Sequence, residues 1–397
     1  MSATQAISAA GARRRSQSFA PNWDATLLLA AVALVALGLI MVTSASITIA
    51  DRELGQPFYY LQRQLLYVLM GLIAALPILR IPVAHWEKAG PLFLLLTFVL
   101  LTVVLVPGVG RQVNGSTRWL PLGIFYFQVS ELAKLLTLIY LAGYLVRRGE
   151  EVRTSTKGFL KPMALLGLIC VLLLAEPDFG TSVVLLFTAL GMMYLAGVRL
   201  WQFALLLLVT AGALAALAFL SPYRWARVVS FLNPWADPFN SGFQLVQSLI
   251  AFGRGEWFGV GLGSSVQKLF YLPEAHTDFL FAVLAEELGL VGTGAVLVLF
   301  ATVVWRAFVI GAQAERNERY FSAYLAYGLG LWIGLQAFIN MGVNMGVLPT
   351  KGLTLPLMSY GGSSMVVTIM VLAMLLRIGH ETARLETQAV STGRVSR

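Results

Sequence analysis

The sequence predicts an all-α polytopic membrane protein with ten transmembrane helices, cytoplasmic N- and C-termini and a large extracytoplasmic loop between helices 7 and 8. Three observations predict it. Of 397 residues, 58% are hydrophobic and 12% charged, against about 25% charged in a soluble domain. The apolar residues gather in runs near 20, the length that crosses the ~30 Å hydrocarbon core. The basic residues fall mostly in alternate connections, as the positive-inside rule requires.

The spans read as 25–46, 59–79, 90–106, 128–146, 162–175, 180–198, 200–220, 278–310, 321–345 and 355–377. Only EPDF separates the fifth from the sixth, so that pair reads as a tight hairpin. With the N-terminus inside, the inner connections hold Arg13, Arg14 and Arg15, then Arg80 and Lys88, then Arg147, Arg148, Arg153, Lys157 and Lys161. Residues 1–23 form a cytoplasmic tail, with no small-residue cleavage site after the first apolar run. Residues 24–380 form the membrane domain and 381–397 a cytoplasmic tail, whose polar last residues LETQAVSTGRVSR are expected to be disordered. Segment 221–277 is the large outer loop; its partly apolar stretch Phe243–Phe252 suits a helix in the membrane interface. The loop PGVGRQVNGSTRWLPLG, 107–123, is a shorter Gly- and Pro-rich outer connection.

Net charge of +9 excludes little, because the cytoplasmic Lys and Arg account for it without nucleic acid. The one cysteine, Cys170, lies in an apolar run and reads as core. Outer-face acid–base chemistry has a short list of candidates. In LPEAHTDFLFAVLAEELGLVG, Glu274, His276 and Asp278 lie where the loop enters the membrane, with Glu286 and Glu287 deeper. Asp278 reads two ways. It caps the helix, with Thr277 as an alternative cap, or partial desolvation raises its pKa and makes it a proton acceptor. Glu286 and Glu287 point about 100° apart, and each calls for its own partner on a neighbouring element.

Glu131 and Lys134 sit at i and i+3 in FQVSELAKLL, able to neutralise each other or to line a polar cavity. The segment NMGVNMGVLPTKGLTLPLMSYGGSSM, 340–365, interrupts two apolar runs with Asn344, Lys351 and the hydroxyls of SYGGSS, Ser359 among them. Irregular backbone at that depth lines a wet cavity or is buried, and a Gly/Ser helix start suits phosphate. Outer cations, including Arg63, Arg118 and Arg254, are available to an anionic substrate. No DxD metal motif is present; Asp278 could help to hold a divalent cation such as Mg or Mn.

Five segments together resemble the SEDS proteins, the shape, elongation, division and sporulation family of bacterial cell-wall polymerases. They are AEPDFGTS, NGSTRWLPLG, FQVSELAKL, LPEAHTDFLFAVLAEELGLVG and GVNMGVLPTKGLTLPLMSYGGSS. PTKGLTLPLMSYGGSS is similar to the division-type members more than to the elongation-type ones. The resemblance covers about 24–380. It implies a peptidoglycan glycosyltransferase acting on lipid II at the outer face of the bacterial inner membrane, at the division septum. It implies that Asp278 of HTDF is the catalytic residue. It places Arg118, Trp119, Glu131, Lys134 and Lys351 at matching motif positions, with Glu274 and His276 as neighbours of Asp278. The implied partners are a class B penicillin-binding protein transpeptidase of the FtsI type and FtsQLB-type regulators. Two other classes fit the same features: a lipid II flippase, which needs polar groups at the midplane, and a non-catalytic scaffold for the transpeptidase.

Overall fold

The computed structural model describes residues 23–391 except 114–115, 122, 124–125, 199–207, 210, 213–214, 217–218, 221–230, 241, 270–271 and 350–351. Its helices are α1 (Ala25–Leu54), α2 (Tyr59–Arg80), α3 (Val83–Leu105), α4 (Val129–Thr154), α5 (Thr156–Ala175), α6 (Phe179–Leu195), α7 (Phe243–Gly255), α8 (Leu280–Arg316), α9 (Tyr320–Asn344) and α10 (Gly362–Ser391). All except α6 and α7 are long and apolar enough to cross a membrane, which makes eight such helices among the described residues. At 17 residues, α6 rises about 26 Å, somewhat short of the core. The expected span 200–220 lies largely outside the described residues.

Two expectations need correction. The fold is not purely α: the 107–128 connection carries a three-stranded antiparallel sheet, β1 (Arg111–Val113), β2 (Ser116–Pro121) and β3 (Tyr126–Gln128), in the order β1-β2-β3. Its strands are too short for side-chain alternation to announce them. Trp119 pairs with Arg111 on one side and Gln128 on the other, which ties the RW dipeptide directly to the start of α4. The tail segment LETQAVSTGRVSR, expected to be disordered, is also helical as far as Ser391. Part of the reason is that Glu381 lies one turn past Arg377, pairs with it at 2.8 Å and accepts the Val83 N–H at 3.0 Å.

Burial sorts the helices into an inner and an outer set. Helices α4, α9 and α10 are mostly buried, whereas α1, α2, α3 and α5 leave much of their apolar surface exposed. In water such exposure would be costly; facing lipid tails it costs nothing. The fifth and sixth expected spans are two packed helices joined through Glu176–Asp178.

Helix α8 is broken inside its span. Gly289 takes φ 65°, ψ −160°, and the backbone groups freed there pair with the 255–261 loop. Val260 and Gly261 N–H donate to the Glu286 and Glu287 carbonyls at 2.9 and 3.1 Å. Leu290 and Val291 N–H donate to those of Glu256 and Trp257 at 2.9 and 3.1 Å. The loop thus satisfies groups that lipid could not. A Cβ on Gly289 would stand 2.4 Å from the Gly259 nitrogen, so both the dihedral and the space require glycine.

The two buried glutamates lie just before this break and pair with different cations. Glu286 accepts from Arg254 at 2.8 Å and from Ser265 Oγ at 2.5 Å. Glu287 accepts from Lys268 Nζ and Ser44 Oγ, both at 2.8 Å. Together they bind α7 and its following loop to α8 and α1.

Candidate active site

A cavity of about 480 Å³ opens where the N-terminal ends of α4, α6, α8 and α10 meet. Gln128 and Glu131 reach it from the start of α4, Asp178 and Thr181 from the start of α6, Thr277 and Asp278 from the turn just before α8, and Gly362 to Ser364 from α10. Each helix start leaves N–H groups without intrahelical partners and a positive dipole end. Four of them around one cavity favour an anion there. Arg63 and Arg118 add full positive charges to its wall.

Asp278 is half-buried on this wall. Its backbone carbonyl is held by Asn340 and Asn344 Nδ2 at 2.9 and 3.0 Å, and Asn344 Oδ1 accepts the Ala282 N–H at 3.1 Å. The carboxylate itself hydrogen-bonds to none of the described residues. The capping alternative fails: Phe279 stands at the N-cap with no side-chain cap, and Thr277 Oγ1 donates to Glu274 Oε2 at 2.7 Å. Burial pushes the Asp278 pKa up to about 7; the Glu274 carboxylate adds to the rise and Arg118 opposes it. Gly352 lies against this carboxylate, so close that a Cβ there would stand 2.8 Å from Oδ2.

His276 packs beside Tyr60 and Tyr360, with ring centroids 4.5 and 5.6 Å away. Burial lowers its pKa, against the raising influence of Glu274 and Glu53, so the imidazole is neutral at pH 7. Across the cavity, Asp178 gathers Ser130 Oγ at 2.6 Å, Gln128 Nε2 at 3.1 Å, the Thr181 N–H at 3.2 Å and Arg118 at 3.5 Å. Arg118 is thereby held at the rim beside Trp119. Glu176 lies next to this cluster, fully buried, with neither carboxylate oxygen hydrogen-bonded among the described residues. Burial, and then Asp178, push its pKa up to about 8, with Arg118 opposing.

The "Cell cycle protein" model of FtsW, RodA and SpoVE matches residues 24–384. The chain belongs to the FtsW/RodA/SpoVE family. It is 61% identical to the probable peptidoglycan glycosyltransferase FtsW of Thioalkalivibrio sulfidiphilus, over 95% of this chain and 94% of that one. It is 62% identical to the protein of the same name from Nitrosococcus halophilus, over 91% and 93%. Among solved structures it is similar to a chain of the work described as "Structural coordination of polymerization and crosslinking by a peptidoglycan synthase complex". That TM-score is 0.74 at 30% identity, covering 91% of this chain and 98% of the other. The rod shape determining protein RodA of Thermus thermophilus gives 0.68 at 28%, over 91% and 97%.

In this FtsW/RodA/SpoVE chain the cavity brings together Arg118, Trp119, Glu131, Glu274, His276 and Asp278 of the expected site residues. Four others do not line it. Lys134 is buried, bonded to Glu131 Oε1 at 3.0 Å and Gln336 Oε1 at 2.9 Å, which leaves Glu131 Oε2 without a partner. Asn344 acts on the Asp278 backbone. Ser359 Oγ accepts the Leu355 N–H at 3.0 Å and orders the 355–359 turn. Arg254 is committed to Glu286. Lys351 lies outside the described residues. Sequence reasoning counted Asp178 among the outer-face acids but not among the site residues, and it missed Gln336 and Asn340. The last two continue Asn344 at four-residue spacing along α9, a polar stripe in an apolar run that could have revealed them.

Proposed function

We propose that this protein polymerises lipid II into glycan strands at the outer face of the bacterial inner membrane during septal division. The supporting observation is the Asp278 carboxylate, without a hydrogen bond among the described residues and with a raised pKa, on the wall of a cavity ringed by helix N-termini and arginines. Those two properties answer the two needs of the reaction, a proton acceptor and a place for pyrophosphate.

In the proposed reaction Asp278 takes the proton of the GlcNAc 4-hydroxyl of one lipid II. That oxygen forms a bond to the anomeric carbon of the growing chain's terminal sugar. The bond from that carbon to phosphate breaks, and undecaprenyl pyrophosphate leaves with the electron pair. Arg118, anchored by Asp178, and the helix starts stabilise the departing charge. Neutral His276 and the free oxygen of Glu131 supply hydrogen-bonding groups to the sugars.

Among the described residues no three His, Cys, Asp or Glu side chains converge as a metal site. A Mg or Mn ion here would find Asp278 as its protein ligand and draw the remainder from pyrophosphate and water. The full proposal includes ten spans, a class B penicillin-binding protein transpeptidase of the FtsI type and FtsQLB-type regulators. The structural relative from a peptidoglycan synthase complex supports such a partnership.

Purified protein, with and without its transpeptidase, is to be given labelled lipid II in vesicles. The proposal expects glycan chains whose yield increases with the partner present. Translocation of lipid II without chain formation would establish the flippase alternative in its place.

A further inference from the structure

The opposite end of α4 carries a second polar cavity, of about 420 Å³. From Val129 at the first cavity to Arg147 at the second, the helix rises about 27 Å, so the two lie at opposite membrane faces. Arg147, Arg148, Arg153 and Glu151 line it from α4, and Tyr320 and Tyr324 from the start of α9. Helix α4 loses its regular dihedrals at Arg148, φ −127° and ψ 19°, which turns the chain around this cavity.

The charges here do not cancel. Arg148 pairs with Glu151, and Lys161 also approaches Glu151, at 3.8 Å, so one carboxylate serves two cations. Glu150 is the other acid on the wall. Arg153 is fixed by neutral groups, donating from Nε to the Ala196 carbonyl at 2.6 Å and from Nη2 to Tyr324 Oη at 3.2 Å. Neither Arg153 nor Arg147 has a carboxylate in ion-pair range among the described residues. The surroundings are apolar and open: Val146 and Tyr320 on the rim, and Leu160 on the first turns of α5, are exposed. A cationic hollow set among exposed apolar side chains at a membrane face matches an amphiphile, with a phosphate in the hollow and chains along the helices.

We propose that this cavity binds the headgroup of an anionic phospholipid of the cytoplasmic leaflet. The inference rests on the orientation described above and is independent of the chemistry at Asp278. Arg147 and Arg153 meet the phosphate, and Tyr320 offers its hydroxyl to the glycerol.

The test is lipid retention by the full-length protein, read by native mass spectrometry after exposure to phosphatidylglycerol, phosphatidylethanolamine or inorganic phosphate. Wild type is expected to retain phosphatidylglycerol about tenfold over phosphatidylethanolamine. Arg147→Gln, at a side chain without an ion-pair partner, is expected to lower that retention about fivefold, as one lost cation at a membrane surface should. Arg147→Lys should keep most of it, and both variants should polymerise lipid II like wild type in neutral lipid. Equal retention of the two lipids, or unchanged retention in Arg147→Gln, would overturn the proposal. Displacement of phosphatidylglycerol by an equal concentration of inorganic phosphate would overturn the lipid assignment in favour of a free-phosphate site.

Discussion

At the scale of single residues, burial raises the pKa of two carboxyl groups at the site, Asp278 and Glu176. The proposed base, Asp278, acts only when deprotonated, and burial pushes its pKa up to about 7. The polymerisation rate should therefore rise as pH increases through about 7 and fall roughly tenfold per unit below it. Glu274 is the second cause of that elevation after burial. Glu274→Gln should consequently move the midpoint of the rate profile to lower pH, by less than about one unit. A profile indifferent to both changes would count against Asp278. Glu176 has a folded pKa near 8 against an ordinary 4.5. A raised carboxyl pKa gives stability that is fully present below the unfolded value and is lost as pH climbs through the folded one. Glu176→Gln should thus raise the melting temperature above pH 8, by roughly 5 °C, and change little at pH 5. Gly352 is a steric control on the same chemistry. Gly352→Ala pushes against Asp278 Oδ2, and polymerisation should drop about tenfold or more while the protein remains folded.

At the scale of elements, the break in α8 holds the outer loop in place. Lys268 and Glu287 are both buried and paired, and removing one partner of a buried pair typically costs about 3–5 kcal/mol. Lys268→Met should therefore destabilise strongly, and Lys268→Met combined with Glu287→Leu should recover most of the loss in thermal unfolding. If the double variant is no better than the single one, the pair is not the source of the stability. The long helices were legible because apolar runs near 20 residues have one physical reading in a low-charge chain. The three-stranded sheet was not, since its stabilising contacts are backbone pairings with neighbours in space. The partner of Glu286 was equally hidden. Arg254 lies 32 residues away, and only the threading of the 255–261 loop past the break brings them together.

At the scale of the whole molecule, the helices run so that four N-termini converge on one face and the Arg147 to Arg153 cluster lies on the other. In a Cys170→Ala background, cysteine placed at exposed Glu274 should react with a membrane-impermeant thiol reagent in intact cells. Cysteine at exposed Arg147 should react only after permeabilisation; the reverse pattern would invert the topology and move the site to the wrong face. Much of this site could be read from the sequence. HTDF marked Asp278, SELAKL marked a pair that the structure brings within 3.0 Å, and SYGGSS marked a helix start on the cavity. The division of labour could not be read. Which polar residues face the cavity and which, like Lys134 and Asn344, brace those that do depends on packing among helices far apart in sequence. The most direct measurement is the rate of glycan polymerisation from lipid II by Asp278→Asn beside wild type, each reconstituted with the partner transpeptidase. The prediction is a loss of about 10²–10⁴-fold in a variant with unchanged expression, melting temperature and partner binding. A rate within a few-fold of wild type would contradict it.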